Sequence, residues 1–296
     1  MPELPEVETA RRYTAEHLTG KRLASVDITL PKLLRDSPIG DLQLLVGATL
    51  VSTGRRAKVL SLGFDNDLSL LIHFKLAGQW AILLPSGERY VAGHPIPDPA
   101  GPYPHKVTHI TFGFDDGAIA YFSDVRQFGW LRLMPTEDVP AAIDAFGFGP
   151  EGTGELDDRV LGAVIARRGI PIKTLLLDQA FIAGLGNIYV DEVLFRSGVH
   201  PARPANSVPL AKRRAIFASI PDVLAEGIRQ GGAKIIHNVA HPIDGFPAVH
   251  GRVGEPCFVC GTAIEKTRVG GRGTYFCPRC QRVHRPRKSS ETIVSR

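Results

Sequence analysis

Cysteine is absent from the first 256 residues of this 296-residue chain, so no disulfide framework can tie its bulk together. No apolar run approaches the ~18 to 20 residues that a membrane helix needs, and the longest candidate, near Leu68–Phe74, is strand-sized. The start, Met1-Pro2-Glu3-Leu4-Pro5-Glu6, is acidic and rigid, where a secretory leader would open basic and continue apolar. Transmembrane and secreted readings are thereby set aside, and no membrane partner is expected. There is no internal repeat. Apolar residues make up 44% and charged residues 22%, enough for a real core, and the length suits two or three domains.

The charge is uneven. Ten Lys/Arg face three Asp/Glu from Gly251 onward, which leaves 25 against 27 in the first 250 residues. The excess basicity of a chain with net charge +5 therefore sits in its last sixth, where a polyanion would first be met. On charge alone, a solubilising tail reads equally well. The four cysteines are also here: Cys257, Cys260, Cys277 and Cys280, two C-x-x-C pairs separated by 16 residues. Two such knuckles on either side of a hairpin form the tetrathiolate zinc pattern. Gly270-Gly271-Arg272-Gly273 supplies the turn and Thr274-Tyr275-Phe276 a return strand. Two disulfides or a redox dithiol are the other readings, and both fit poorly with doubled pairs in an unexported chain. One structural zinc ion is expected. Four thiolates fill its tetrahedron, so it holds a fold and does no catalysis.

Along the chain, Val7, Ala10, Tyr13 and Leu18 recur at near-helical spacing over residues 3–18, closed by Gly20. From about 22 to 135 the texture turns to short β-rich runs, among them Val59-Leu-Ser-Leu, Leu70-Leu-Ile-His-Phe and His109-Ile-Thr-Phe-Gly-Phe, with a hairpin signal at Asp115-Asp116-Gly117. That spacing predicts a β-sandwich or barrel. Pro95 to Pro104 reads as an exposed loop. Beyond about 137 the pattern predicts helices over Asp157–Arg168, Pro171 to Asp178, Asn187–Ser197 and Pro209–Arg229, the last ended by Gly231-Gly232.

The N-terminus carries the chemistry. Trimming of a methionine before proline would leave Pro2 with a free secondary amine, whose reference pKa of about 8 keeps a fraction neutral at physiological pH. Attack by such an amine on a sugar carbon gives an iminium, the Schiff-base route of covalent catalysis. Glu3 and Glu6, three apart at a helix start, share one face beside it. Taken alone, proline and glutamate there are also ordinary capping chemistry.

Pro2-Glu3-Leu4-Pro5-Glu6-Val7-Glu8-Thr9 resembles the opening signature of the formamidopyrimidine-DNA glycosylase family of base-excision repair enzymes. Gly184-Leu-Gly-Asn-Ile-Tyr189 is similar to that family's helix–two-turn–helix. Arg55-Arg56-Ala57-Lys58, Asp124-x-Arg126-x-Phe128-Gly129 and the four-cysteine module match further motifs in the same order. The resemblance thus spans residues 2 to 281. It implies an α+β multidomain fold. Residues 1–136 would be a catalytic domain of one helix plus a β-sandwich, 137–246 a helix–two-turn–helix domain and 247–281 a zinc-ribbon finger; 282–296, with Arg282, Arg285, Arg287 and Lys288, reads from its composition as a basic disordered tail longer than the family pattern.

The resemblance also implies a bifunctional glycosylase and abasic-site lyase, a cytoplasmic monomer acting on double-stranded damaged DNA. A stacked base must be flipped out for such chemistry, and the gap held open by wedge side chains. Matching positions make Pro2 the nucleophile, Glu3 the general acid and Glu6 its support. Lys58 and Arg272 would assist the β- and δ-eliminations. Leu76, Arg126 and Phe128 would fill the gap, and Arg168, Lys173, Asn187 and His250 would bind DNA. Surface charge remains the plain reading for Lys58 or Arg168 singly, and a β-core position for Leu76 or Phe128.

Three departures bear on substrate. Leu76 stands where the family has methionine, His250 where it has a phosphate-binding tyrosine, and the stretch between Gly232 and His250 is shorter than a loop that closes over flipped purines. Removal of 8-oxoguanine and formamidopyrimidines is the main expectation. Restricted or oxidised-pyrimidine specificity, as in the endonuclease VIII branch, is one alternative. A non-enzymatic zinc-ribbon protein that binds distorted DNA is the other.

Overall fold

Helix α1 (Leu4–Leu18) decides the layout, because it feeds two hydrophobic cores at once. Val7, Ala10 and Leu18 pack into a β-core, whereas Leu4 packs into a helical one. Residues 2–6 are consequently pinned at the junction. The computed structural model describes residues 1–95, 101–236 and 239–283.

Strands β1 (Leu23–Ile28), β2 (Leu50–Arg56), β3 (Val59–Phe64), β4 (Leu68–His73), β5 (Gly78–Leu83), β6 (Arg89–Gly93), β7 (Thr108–Phe114), β8 (Ile119–Asp124) and β9 (Trp130–Pro135) form two antiparallel sheets among the described residues. Their orders are β1-β7-β8-β5-β6 and β2-β3-β4-β9. Leu60, Leu62, Ile72, Ile82, Phe112 and Phe122 alternate along their strands and fill one core between the sheets. Trp80 is 1% exposed in that core and donates its indole N–H to Thr14 Oγ1 of α1 at 3.0 Å. The outer face of β3, β4 and β9 is covered too: Val59, Leu71 and Met134 pack against Val139, Ile143 and Phe146. That second cover explains why β4 reads as a continuous apolar run instead of alternating.

Helices α2 (Val139–Asp144), α3 (Asp158–Arg167), α4 (Ile172–Leu176), α5 (Asn187–Ser197) and α6 (Leu210–Arg229) follow. Asp157 caps α3 by accepting from the Arg159 amide at 2.8 Å. The helix expected from Pro171 to Asp178 forms over five residues only, with Pro171 as its N-cap. Gly184 meets α1 directly: its carbonyl accepts from Leu4 N at 3.2 Å, its φ is +99°, and a Cβ there would overlap the Leu4 side chain.

Short strands β10 (Ile235–Ile236) and β11 (Val239–Ala240) occupy the segment before the finger. The finger hairpin is β12 (Glu265–Val269) and β13 (Arg272–Phe276), joined by Gly270 and Gly271 at φ +57° and +77°, as a two-residue turn between twisted strands requires. Its own core holds little more than Val249, Ile264, Tyr275 and the cysteines. The fold is therefore α+β, with a β-sandwich, a helical body and a four-cysteine finger.

One loop differs from expectation. Residues 96–100 lie outside the described residues, but past them Tyr103 stacks on Tyr121 at 5.1 Å and donates its hydroxyl to Gln79 Oε1 at 2.7 Å. That part is packed, not simply exposed. The basic tail with Arg285, Arg287 and Lys288 also lies outside the described residues. Among the described residues, no helix is long and apolar enough to cross a membrane.

Candidate active site and nucleic-acid interface

Two clefts meet at Pro2, which is buried. The wider, about 580 Å³, is lined by Glu3, Glu6, Ile235, Ile236 and His250 among others. The narrower, about 320 Å³, is lined by Lys58, His73, Lys75 and Phe148 among others, with no carboxylate among its described residues. Met1, Pro2, Leu76, Asn187 and Arg272 border both.

Glu3 is fully buried at the start of α1, and its carboxylate sits on the N-terminus of α5. Ile188 N donates to Glu3 Oε1 at 2.8 Å, and a Cβ on Gly186 would overlap the same carboxyl. Glycine is required there because the backbone must approach the acid this closely. Burial pushes the Glu3 carboxyl above its ordinary value, and Glu6 adds to the rise; Lys58 and the Ile188 amide pull it back. A raised carboxyl can hold a proton where a reaction needs one.

Glu6 does different work. It accepts from Glu3 N at 2.8 Å, from the Tyr189 hydroxyl at 2.7 Å and from Ala233 N at 2.9 Å. It thus ties the chain start to α5 and to the end of α6. Burial and the two carboxylates beside it hold the Tyr189 hydroxyl protonated well above its usual pKa, so it remains a donor.

Lys58 sits in the two-residue turn between β2 and β3, next to Ala57 at φ +51°. The turn is braced from outside. Glu151 Oε2 accepts from Ala57 N at 2.6 Å, and Arg55 bridges Glu151 at 2.7 Å and Glu8 at 3.0 Å. Lys58 Nζ donates to Leu185 O at 2.6 Å, beside Glu3. Burial lowers its ammonium below lysine's ordinary value, while Glu3 and Glu6 raise it again.

The expected gap-fillers lie on turns, so the β-core reading fails for both apolar ones. Leu76 is half-buried between β4 and β5, and Phe128 is 55% exposed between β8 and β9. Asp124 builds the second turn by accepting from the amides of Arg126, Phe128 and Gly129 at 2.9, 3.0 and 2.7 Å. The Arg126 guanidinium lies 5.3 Å from the Phe128 ring centre, so the two form one protruding unit.

Lys173 requires a correction. It is fully buried, with Nζ 2.6 Å from Asp191 Oδ1 and donating to Gly273 O at 3.1 Å. It touches no surface a phosphate can reach. Asp191 also pairs with His250 Nδ1 at 2.7 Å and accepts from Tyr275 N at 3.1 Å. Lys173 is thus a strut that fixes the finger hairpin against the helices. Asn187 joins it by donating from Nδ2 to Gly273 O at 2.9 Å. The Ile188 amide at this helix start donates to Glu3, so it is not free to hold a phosphate. His250 borders the wider cleft, and exposed Arg272 reaches both clefts from the hairpin tip. Arg168 is exposed at the end of α3, bordering a separate depression with Ala163, Val164 and Arg167.

Reasoning from sequence missed His73 and Lys75, which flank the narrower cleft. His73 is held neutral: burial and the nearby Lys75, Lys58 and Arg132 charges bring it down to about 3. Its Nδ1 accepts from Lys75 N at 2.9 Å, which leaves Nε2 as the donor. His73 was hidden inside an apolar strand run.

The four cysteine Sγ atoms lie within 4.8 Å of one another, with 3.9 Å between Cys257 and Cys280 and 3.4 Å between Cys260 and Cys277. Sulfurs bound at about 2.3 Å to one tetrahedral centre would stand about 3.8 Å apart, so the set fits one zinc ion. The ion would be held by these thiolates alone and would supply folding energy to the finger.

Comparisons with known proteins follow the same division of the chain. The model of the formamidopyrimidine-DNA glycosylase N-terminal domain matches residues 1–131, that of the family's H2TH domain 148–238, and that of a zinc finger found in FPG and IleRS 254–283. A formamidopyrimidine-DNA glycosylase of Streptococcus pneumoniae is 38% identical over 292 residues, covering 95% of this chain and 99% of the relative. One from Exiguobacterium sibiricum is 39% identical over 293 residues, covering 96% and 99%. Among solved structures, Lactococcus lactis Fpg in complexes with abasic-site DNA and with N7-benzyl-Fapy-dG DNA superposes with TM-score 0.82 at 32% identity, over 95% of this chain and 100% of that one.

Proposed function

The chain belongs to the formamidopyrimidine-DNA glycosylase family, DNA glycosylases of base excision repair, and from that premise we propose that it excises oxidised purines from duplex DNA and then cleaves the abasic site through a Schiff base on Pro2. The observation that carries this reading is the placement of Pro2 where an acid-lined cleft meets a cationic one. Removal of Met1 would expose the imino nitrogen at that junction.

The protein acts as a monomer on one flipped nucleotide. The Pro2 nitrogen attacks C1′, and the bond to the base breaks. Glu3, whose carboxyl is raised by burial, gives its proton to the ring oxygen as the sugar opens, leaving an iminium between Pro2 and C1′. Loss of a C2′ proton expels the 3′ phosphate, and a second elimination expels the 5′ phosphate. Lys58 and Arg272 bind these leaving groups, Glu6 holds Glu3 in place, and Leu76, Arg126 and Phe128 fill the vacated stack. Formamidopyrimidines are the first lesions proposed, a reading supported by the Lactococcus lactis complexes with Fapy-dG DNA, and 8-oxoguanine is proposed with them as an oxidised purine.

Borohydride trapping on abasic duplex tests the chemistry: a covalent adduct that Pro2→Gly abolishes is expected, and no adduct would leave a zinc-held binder of distorted DNA. Duplexes carrying single lesions test the substrate. Cutting at formamidopyrimidine or 8-oxoguanine opposite C is expected, whereas cutting only at oxidised pyrimidines would move the enzyme to the alternative specificity.

A further inference from the structure

Lys75 stands in the turn between β4 and β5 with a left-handed backbone, φ +50°, which a side chain with a Cβ rarely adopts. Its amide is fixed on His73 Nδ1 at 2.9 Å, so the residue is held in that conformation by its neighbour. The side chain borders the narrower cleft together with Pro2, Lys58, His73 and Arg272. Among the described residues, no carboxylate lines the cleft that its ammonium borders. Partial burial and then the Arg132 charge pull that ammonium below lysine's usual value.

A lysine kept in an unfavourable backbone region, beside two further cations and a neutral histidine donor, is arranged for an external anion. Leu76 follows immediately and borders both clefts. Whatever strand Leu76 enters must pass its backbone along Lys75. We propose that Lys75 is a further substrate-binding residue, whose ammonium contacts a phosphate of the DNA strand lying in the narrower cleft beside Lys58 and Arg272. The proposal rests on the glycosylase reading above. In it, Leu76 supplies the wedge and Lys75 supplies the adjoining backbone contact, so one turn both opens the stack and fixes the register of the strand.

The test measures binding of the full-length, zinc-loaded protein to a duplex carrying a tetrahydrofuran abasic analogue over a range of potassium chloride. Each phosphate neutralised contributes a slope of about −0.9 to log K against log salt. Lys75→Gln is expected to make that slope shallower by about one contact, so that wild type loses about 3.5-fold more affinity than the variant between about 50 and 200 mM salt. Lys75→Arg is expected to keep the wild-type slope, and Lys75→Gly, which suits the backbone but lacks charge, to behave as Lys75→Gln. A purely structural lysine would give the opposite pattern, with Lys75→Gly retaining the wild-type slope. An unchanged slope in Lys75→Gln overturns the proposal while wild-type binding stands. Absence of salt-dependent binding by the wild type overturns the glycosylase reading itself.

Discussion

The two clefts at Pro2 are built from opposite materials. The wider carries Glu3 and Glu6 with the apolar Ile235 and Ile236, whereas the narrower carries Lys58, His73 and Lys75 and no carboxylate among its described residues. A phosphodiester placed beside the glutamates would be repelled, and an acid placed among the lysines would lose its proton. In the proposed reaction Pro2 would stand between Glu3 as proton donor and Lys58 and Arg272 as phosphate ligands, with Lys58 near enough to Glu3 to lower its pKa. The partition extends to the tuning of each side. Burial raises Glu3 toward its protonated form and lowers Lys58 and His73 away from theirs, so desolvation drives both clefts toward lower charge before substrate arrives.

Among the described residues of the finger only Arg272 reaches both clefts, so the metal should matter most. Structural zinc in finger peptides contributes about 10 to 16 kcal/mol of folding free energy. Chelation or Cys277→Ser is expected to unfold the hairpin and withdraw Arg272 from both clefts, with retained melting of the β-sandwich by circular dichroism. A finger that stays folded without metal would break the comparison. Glu3→Gln attacks the wider cleft alone. Single-turnover base release should fall by about 10² to 10⁴ while lesion binding persists. The variant should also lack the destabilisation that a buried acid with a raised pKa brings. Such a group favours the folded state at low pH and withdraws that support as pH rises through its folded pKa, so the wild type's stability curve should slope down more steeply than the variant's between a carboxylate's ordinary pKa and that raised folded value, and run parallel to it above.

Lys173→Met leaves Asp191 buried with one cation fewer. A loss of roughly 3 kcal/mol is expected in denaturant unfolding, together with weaker DNA binding through displacement of Gly273. Phe128→Ala should do the least to the fold, since the ring is 55% exposed: stability changes within about 0.5 kcal/mol. Affinity for an abasic duplex should nonetheless drop by about 1 to 3 kcal/mol, the range of aromatic stacking on a base.

Much of this was readable before any coordinates. The first helix, the Asp115–Gly117 hairpin, α5, α6 and the doubled cysteine knuckles follow from local periodicity and turn chemistry, which sequence encodes directly. Lys173 was misread because its partner, Asp191, lies 18 residues away on another helix, and a lysine carries no sequence mark of burial. The Glu3–Ile188 contact spans 185 residues, so nothing local in the sequence shows that this helix-start amide is taken. Likewise the Glu8–Arg55–Glu151 brace behind Lys58 joins three separated segments. There, burial opposes ionisation of Glu8, but hydrogen bonds from Arg11, Arg12 and Arg55 outweigh it and hold the carboxyl at about 2. Pairings of this length come from the fold and not from the local pattern.

The identity of the attacking atom bears most directly on the account. Borohydride-reduced complex with abasic DNA, digested and sequenced by tandem mass spectrometry, should show a chain beginning at Pro2 with the sugar remnant on its nitrogen. A remnant on Lys58 or Lys75, or an adduct that still carries Met1, would contradict it.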